Sequence, residues 1–183
     1  VIQFKSDDKL RISAYDNESA GHGEDGNLYF VTTRVFRDPS AWYHIVIAVD
    51  TTDGTEGNRV KIYINGVQET VFDSSTYPTV NKVMVFNKDN MYAYYGIYKN
   101  QASAEHDGYI SELHFIDGTQ LAASAFGEFD EDSGIWKPKD AKGDLTYGNN
   151  GHYLEFKQTG TGTNASGIGA DTSGNDNHFA PVN

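Results

Sequence analysis

Two consecutive amphipathic segments in the middle of the chain constrain its fold more than any other feature. The first spans residues 42–50 and the second spans residues 58–68. In the second segment, apolar residues alternate with polar or aromatic ones, in the order Val60, Lys61, Ile62, Tyr63, Ile64. This period of two predicts a strand with one buried face, and the following Asn65-Gly66 pair predicts a tight hairpin turn. The two segments therefore predict neighbouring antiparallel strands.

The rest of the chain repeats short strand patterns between turn residues. We predict strands at residues 1–4, 10–15, 28–36, 67–72, 83–86, 91–98, 109–116 and 153–156, with a bulge in residues 109–116 and one helical turn at 121–126. No segment shows a sustained helical period. These features predict an all-β, two-sheet antiparallel sandwich and exclude a parallel α/β fold, which needs crossover helices.

Composition limits the partners and the chemistry. The 183 residues carry a net charge of −12, a surface that repels nucleic acid and anionic membranes unless cations bridge them. The absence of cysteine excludes disulfides and thiol chemistry. No apolar run is long enough to cross a bilayer, so membrane insertion is not expected. The chain begins at Val1 on a strand-like run, and we expect it to be a fragment or a processed product.

The composition changes near Gly127, which divides the predicted organisation into three parts. Residues 1–126 form the sandwich, and residues 127–152 form a linker in which Trp136 is an anchor. Residues 153–183 are rich in Gly, Asn, Thr and Ser and form an extended tail or the start of a further sandwich repeat. Because this tail contains little apolar surface, it must lie against the sandwich, a neighbouring subunit or another domain.

Several motifs resemble the laminin-G-like branch of the concanavalin A-like jelly rolls. A strand that opens on Trp42-Tyr-His is followed by the Asn65-Gly66 hairpin and then by His106-Asp-Gly-Tyr-Ile-Ser-Glu-Leu, in the order and spacing of that family. The run Asp171-Thr-Ser-Gly-Asn-Asp-Asn-His is similar to the opening of such a domain. The resemblance implies a jelly-roll sandwich over residues 1–126.

A second set of motifs is similar to laminin-G-like modules in virion fibres and appendages of tailed bacteriophages, notably marine ones. The motifs begin at Phe36, Phe115, Phe126 and Gly134, the last reading Gly-Ile-Trp-Lys-Pro-Lys. The resemblance implies a virion-surface, extracellular module that contacts host-surface glycan. It also implies contacts with other virion or filament subunits in a homo-oligomer, with a trimer favoured.

Tyrosines in residues 91–98 predict a carbohydrate-binding platform. If Tyr92 and Tyr94 share one strand face, they form a flat surface for stacking on a sugar. Polar side chains for sugar hydroxyls flank them at Asn87, Asp89 and Asn90. Core packing or a subunit contact is the alternative role for these tyrosines.

Calcium is the one cofactor that the sequence predicts. The resemblance implies Ca²⁺ at the sandwich rim, and the candidate ligands are Asp50, Asp53 and Asp107. The loop that contains Asp50 and Asp53 lacks EF-hand spacing. Turn formation is the alternative role for all three residues.

The sequence offers little for catalysis, and we predict that the protein is not an enzyme. The acidic run at residues 128–132 resembles the carboxylate signature of sandwich-fold glucanases, but its last Glu is replaced by Asp132 and it reads as a loop. His44 and His114 fall in predicted strands and are expected to be packed, whereas His22, His106, His152 and His178 fall in predicted loops without metal-ligand spacing.

Three functions therefore stay open. The leading one is a non-catalytic carbohydrate-binding and adhesion module of a virion appendage. The second is a purely structural protein that decorates a virion or forms a filament. The third, which the sequence supports least, is a glycan-degrading enzyme.

Overall fold

A computed structural model describes residues 1–14, 28–87, 93–96 and 106–181 of the chain. These residues form antiparallel strands and short 3-10 turns without an α-helix, which confirms the prediction of a mostly β protein. The strands are β1 (Ile2–Phe4), β2 (Lys9–Ala14), β3 (Leu28–Val35), β4 (Ile45–Val49), β5 (Val60–Ile64), β6 (Val67–Glu69), β7 (Phe72–Thr76), β8 (Leu113–Phe115), β9 (Gly127–Phe129), β10 (Trp136–Pro138) and β11 (His152–Leu154). Nowhere in these ranges is a helix long and apolar enough to cross a membrane.

The strands are arranged in four small sheets. A four-stranded sheet has the order β1-β2-β3-β7, and a three-stranded sheet has the order β4-β5-β6. Two further ladders pair β9 with β10 and β8 with β11. The chain passes from the three-stranded to the four-stranded sheet between β6 and β7, where residues 67–72 had been predicted as one continuous strand.

One hydrophobic core joins the two larger sheets. From the four-stranded sheet it takes alternate residues of β2 and β3, among them Leu10, Ile12 and Phe30, and from the three-stranded sheet it takes the predicted inward face of β5, Val60, Ile62 and Ile64. Each of these side chains is at most 4% exposed. The predicted alternation along β5 is therefore confirmed, and its apolar face and that of β2–β3 are buried in the same cluster.

The Asn65-Gly66 turn forms as predicted. Asn65 has φ of +49° and Gly66 has φ of +78°, the pair of left-handed conformations that a tight hairpin of this kind requires. Asn65 also reaches back to the segment before β4: its side-chain oxygen accepts the backbone N–H of His44 at 2.8 Å, and its own N–H donates to the carbonyl of His44 at 2.8 Å. Asn65 therefore joins the start of β4 to the end of β5, at the open end of the β4–β5 hairpin.

Thr32 replaces a missing ladder hydrogen bond inside the four-stranded sheet. The register between β2 and β3 shifts between Lys9 and Arg11, and at this irregularity the hydroxyl of Thr32 accepts the N–H of Leu10 at 3.1 Å. The same hydroxyl donates to the carbonyl of Arg34 at 2.8 Å. Since Thr32 is 0% exposed, no water can take over this role.

The C-terminal segment pairs with a strand of residues 1–126. Strand β11 lies antiparallel to β8, with Tyr153 opposite His114 and His152 opposite Phe115. His152 therefore lies in a strand and is 5% exposed, so its predicted place in a loop is wrong. The strand predicted at residues 153–156 is confirmed in part, because it begins one residue earlier, at His152, and ends at Leu154.

Asp171 organises the Asp-x-Ser-Gly-Asn-x-Asn run into a hydrogen-bonded loop. Its carboxylate is 5% exposed and accepts the backbone N–H groups of Tyr153, Ser173 and Asn177 and the hydroxyl of Ser173, at 2.8–3.0 Å. Burial alone raises the pKa of Asp171, but these hydrogen bonds outweigh it, and the pKa lies below its ordinary value.

Two asparagines of the same run bind the preceding loop. The side-chain amide of Asn175 donates to the carbonyls of Gly148 and Gly151, at 2.6 and 2.9 Å. The amide of Asn177 donates to the carbonyls of Asn149 and Gly151, at 3.1 and 2.9 Å. Hydrogen bonds from the polar side chains of this run thus hold this loop in place, as apolar packing holds the strands elsewhere in the chain.

One predicted strand is wrong in this structure, and another is shorter than predicted. Residues 83–86 contain no strand: Val85–Asn87 forms a 3-10 turn, with Met84 buried in the core and Val85 packed against it. The predicted strand at 109–116 is reduced to Leu113–Phe115, because Glu112 adopts φ of +52° and interrupts the extended chain. The predicted helical turn at 121–126 is confirmed as Ala123–Ala125.

Replacing Thr32 tests the buried hydroxyl. We expect Thr32→Val to lower the free energy of unfolding by roughly 1–3 kcal/mol, because the N–H of Leu10 loses its acceptor in a site without water. Thr32→Ser keeps the hydroxyl and should recover much of that loss. Denaturant unfolding followed by circular dichroism measures both. Thr33→Val, at the exposed neighbouring position, is the control, and an equal loss in that variant would contradict the assignment.

Asp171 should make the free energy of unfolding depend on pH in the acid range. A carboxyl whose pKa is lowered by folding stabilises the protein above its ordinary pKa, and this contribution is lost as the pH falls through the lowered value. We expect Asp171→Asn to cost about 1–3 kcal/mol at neutral pH and progressively less below about pH 4. Thermal unfolding between pH 7 and pH 3 measures the difference.

Asp176→Asn is the matched control for Asp171, because this side chain is 88% exposed and its left-handed backbone suits asparagine. A constant difference between the unsubstituted protein and Asp171→Asn at every pH would contradict the role of the Asp171 charge.

Candidate functional site

A groove lies where the Asn65-Gly66 turn, the Ala123–Ala125 turn and the β9–β10 hairpin meet. It has a volume of about 450 Å³, within the range of small-ligand sites. We call it the Trp136 groove and define it by its lining residues: Tyr63, Gly66, Ala122, Ala123, Ser124, Gly127, Glu128, Phe129, Trp136 and Lys139. Its walls come from segments about 60 positions apart in the sequence, and only the folded chain brings them together.

Trp136 forms the back of the groove because two glycines leave room for it. A Cβ atom on Gly66 would overlap the six-membered ring of the indole, and one on Gly127 would lie 2.5 Å from Trp136 Cζ2. The indole therefore rests directly on backbone at both positions. Trp136 anchors the β9–β10 hairpin to the β5–β6 turn, in agreement with its predicted anchoring role.

Aromatic rings line the groove. Phe129 is 50% exposed and meets Trp136 edge to face, with ring centroids 5.0 Å apart. Tyr63 is half-buried on the face of β5 opposite the core, so its ring belongs to the groove. An accessible aromatic ring beside a second aromatic is the arrangement that stacks on the apolar face of a sugar ring.

Glu128 and Lys139 supply opposite charges at the same groove. Glu128 is exposed on β9, and neither its carboxylate nor the ammonium of Lys139 forms an ion pair with a described residue. By contrast, the neighbouring Lys137 is paired with Asp130. A free carboxylate accepts hydrogen bonds from hydroxyl groups, and a free ammonium donates hydrogen bonds to them, so the two groups suit a polyhydroxylated ligand.

His44 lies behind the groove wall. Its ring centroid is 5.6 Å from that of Trp136, and the two planes are tilted by 41°. His44 Nδ1 and Trp136 Nε1 are both buried without a hydrogen-bond partner among the described residues. Burial lowers the pKa of His44, so its imidazole is neutral near pH 7.

His114 lies at the centre of an aromatic stack next to this wall. Its ring is parallel to those of Tyr153 and Tyr147, with centroids 4.1 and 6.0 Å away, and its Nδ1 is 2.8 Å from the Tyr147 hydroxyl. Burial and, to a smaller extent, the nearby His44 lower the pKa of His114 to about 4, against the opposing effect of the Asp140 carboxylate.

The predicted carbohydrate residues fall mostly outside the described part of the chain. Tyr92, Asp89 and Asn90 lie in the residues that the structure does not describe, and Asn87 ends the Val85–Asn87 turn. Tyr94 is 40% exposed, and residues 93–96 form a bend in which Gly96 has φ of +80°. The predicted tyrosine platform therefore stays a prediction, and the groove is a separate candidate.

The predicted calcium ligands have local roles in this structure. Asp50 accepts the N–H and hydroxyl of Thr52, at 2.9 and 2.6 Å, and Asp53 accepts the N–H of Thr55 at 2.7 Å. Arg59 binds the carbonyl oxygens of residues 53 and 54, which an ion would otherwise use. Asp107 is exposed in another segment.

Among residues 1–14, 28–87, 93–96 and 106–181, no three His, Asp or Glu side chains are grouped to hold a metal. These contacts are those of turn-forming aspartates, and the calcium site at Asp50, Asp53 and Asp107 stays a prediction.

Comparison of the chain with protein-family models, with curated proteins and with solved structures finds no match. The site is therefore interpreted from its own geometry.

Substituting Gly66 tests how Trp136 is held. We expect Gly66→Ala to destabilise the protein by roughly 1–3 kcal/mol more than Gly118→Ala, because both positions have positive φ but only a Cβ at Gly66 overlaps the indole. The emission maximum of Trp136 should also shift in Gly66→Ala. Equal losses of stability in the two variants would contradict the packing of Trp136 on Gly66.

Proposed function

We propose that this chain is a non-catalytic carbohydrate-binding module and that the Trp136 groove is its binding site. The observation that carries the proposal is a groove of about 450 Å³ that is lined by the exposed ring of Phe129 and has Glu128 and Lys139, which form no ion pair with a described residue, among its lining residues. Sugars present both an apolar ring face and vicinal hydroxyls, and this groove offers a partner for each.

In this proposal each group has one role. Phe129 stacks on the apolar face of a sugar ring, with Tyr63 lining the same groove. Glu128 accepts hydrogen bonds from two neighbouring hydroxyls, and Lys139 donates to a hydroxyl or ring oxygen. Trp136 fixes the position of Phe129 through its edge-to-face contact.

The ionisation of Asp130, in the acidic run at residues 128–132 next to the groove, supports binding without cleavage. Asp130 caps the hairpin turn by accepting the N–H and hydroxyl of Ser133, at 2.8 and 2.7 Å, and it pairs with Lys137. The Lys137 ammonium and these hydrogen bonds lower the pKa of Asp130 to about 2. A retaining or inverting glycosidase needs one of two facing carboxyls to carry a proton, and Asp130 is a poor candidate for that role.

The finer architecture and setting follow from the sequence resemblance. We propose a laminin-G-like jelly-roll sandwich on a virion appendage, where it contacts host-surface glycan. The shared core of the four-stranded and three-stranded sheets is compatible with two facing sheets. Calcium dependence is part of this proposal and is tested in the same experiment.

A purely structural role is the second candidate, and it is favoured by exposed apolar side chains outside the groove. Ile2 and Trp42 are 62% and 65% exposed, and Tyr109 is 87% exposed. Apolar surface of this kind suits contacts with other subunits of a virion or filament.

Binding of the purified chain to bacterial and algal polysaccharides, with Ca²⁺ and again with EDTA, tests the proposal. We expect selective binding that leaves the glycan intact. Phe129→Ala should weaken it about three- to tenfold through lost stacking, and Glu128→Gln should weaken it by a similar factor.

Two aromatic substitutions outside the groove are the matched controls. Tyr109→Ala removes a fully accessible ring and should leave binding unchanged. Tyr94→Ala tests the predicted tyrosine platform. Loss of binding in Tyr94→Ala with full binding in Phe129→Ala would move the site to the platform, and no binding to any polysaccharide would favour the structural role.

A further inference from the structure

Two half-buried histidines pack behind the groove wall, and we propose that they make ligand binding sensitive to acid. Protonation of His44 and His114 would loosen the wall formed by Trp136 and release the bound glycan. This inference rests on the proposed function for the ligand, but the change at Trp136 can be measured without any ligand.

Both the backbone and the side chain of His44 contact residues of the groove wall or its immediate neighbours. Its backbone N–H and carbonyl are bound by Asn65, next to the Gly66 on which the indole rests. Its imidazole lies against Trp136, with Nδ1 buried and unpaired. A proton on Nδ1 would place a cation against an indole whose own N–H has no acceptor among the described residues. The indole face compensates a cation only partly, so the contact should open to admit water.

His114 reaches the same wall through Phe126. The two rings are 5.5 Å apart, and Phe126 precedes Gly127 and accepts the backbone N–H of Lys139 at 3.0 Å. A charge on His114 would therefore act on the strand that carries Glu128 and Phe129.

The groups that face the two histidines do not compensate the positive charge that protonation would place on them. His114 is faced by the ring of Tyr153, by the hydroxyl of Tyr147 and, electrostatically, by His44 and Asp140. Burial raises the pKa of both tyrosines, so they stay neutral. Asp140 favours the protonated form of His114, but burial and the repulsion from His44 outweigh it. Among the described residues, no carboxylate forms an ion pair with either imidazole.

The direction of the pH effect follows from this burial. A histidine whose pKa is lowered by folding stabilises the folded state as a neutral ring, fully above the ordinary value of 6.5. That contribution is lost as the pH falls through the folded value, which is about 4 for His114. The groove should therefore loosen between about pH 6.5 and pH 4.

Fluorescence of Trp136 tests the structural step. The chain has 2 tryptophans, and Trp42→Phe at the exposed position leaves Trp136 as the single indole. We expect its emission to change as the pH falls through this window while far-ultraviolet circular dichroism stays constant. His44→Phe keeps a ring against the indole without a titratable group and should suppress the change. His106→Phe, at an exposed histidine, is the matched control and should not.

Nuclear magnetic resonance of the unsubstituted chain makes the test independent of how the variants fold. The imidazole resonances of His44 and His114 should titrate below 6.5, together with the indole N–H of Trp136. The inference is overturned if the Trp136 signals change only with global unfolding, or if His44→Phe leaves the transition in place.

Glycan binding separates this inference from the proposed function. A polysaccharide that binds at about pH 7.5 should bind about tenfold more weakly near pH 5, as expected for linkage to one proton over a pH unit or more. His44→Phe should retain most of its binding there. Binding that is equally strong at both pH values contradicts the acid sensitivity alone. Absence of binding at every pH contradicts the proposed function, and the Trp136 transition then decides this inference.

Discussion

Most of the structure depends on burying the apolar faces of β2, β3 and β5 in one core. Leu10, Phe30, Ile62 and Ile64 are almost completely buried there, and they come from both of the larger sheets. Each sheet alone would leave one face in water, so neither sheet is stable without the other. This core also holds β5 in place, and therefore the Asn65-Gly66 turn at its end, on which Trp136 packs.

The C-terminal segment is held in a different way. Its strand β11 contributes only Leu154 and two aromatic pairs across the ladder, His114 with Tyr153 and Phe115 with His152. The loop after it is held by the buried carboxylate of Asp171 and by asparagine amides that bind backbone carbonyls. A Gly-rich and Asn-rich sequence cannot bury much apolar surface, and hydrogen bonds to a preformed loop replace that burial. Of these contacts, the hydrogen bonds to the Asp171 carboxylate respond to pH.

Local patterns in the sequence predicted the local structure well. The alternation of Val60, Ile62 and Ile64 predicted the buried face of β5, and Asn65-Gly66 predicted the turn because only left-handed residues close such a hairpin. The strand predicted at residues 83–86 failed because a run of four apolar residues fits a 3-10 turn as well as a strand. His152 was assigned to a loop because the strand predicted at residues 153–156 begins one residue earlier in the structure, and a local pattern does not fix the end of a strand to one residue.

The sequence by itself determined that this chain forms antiparallel strands, which of their faces are apolar, and that its surface is strongly acidic. These properties depend on neighbouring residues and on composition, so they can be read along the chain. The tertiary structure alone decided that Gly66 and Gly127 flank one indole, that Glu128 and Lys139 line the same groove, and that His44 stands behind it. The contacts of Trp136 with Gly66 and with His44 join residues far apart in the chain, and no local pattern encodes which distant segment will cover which face.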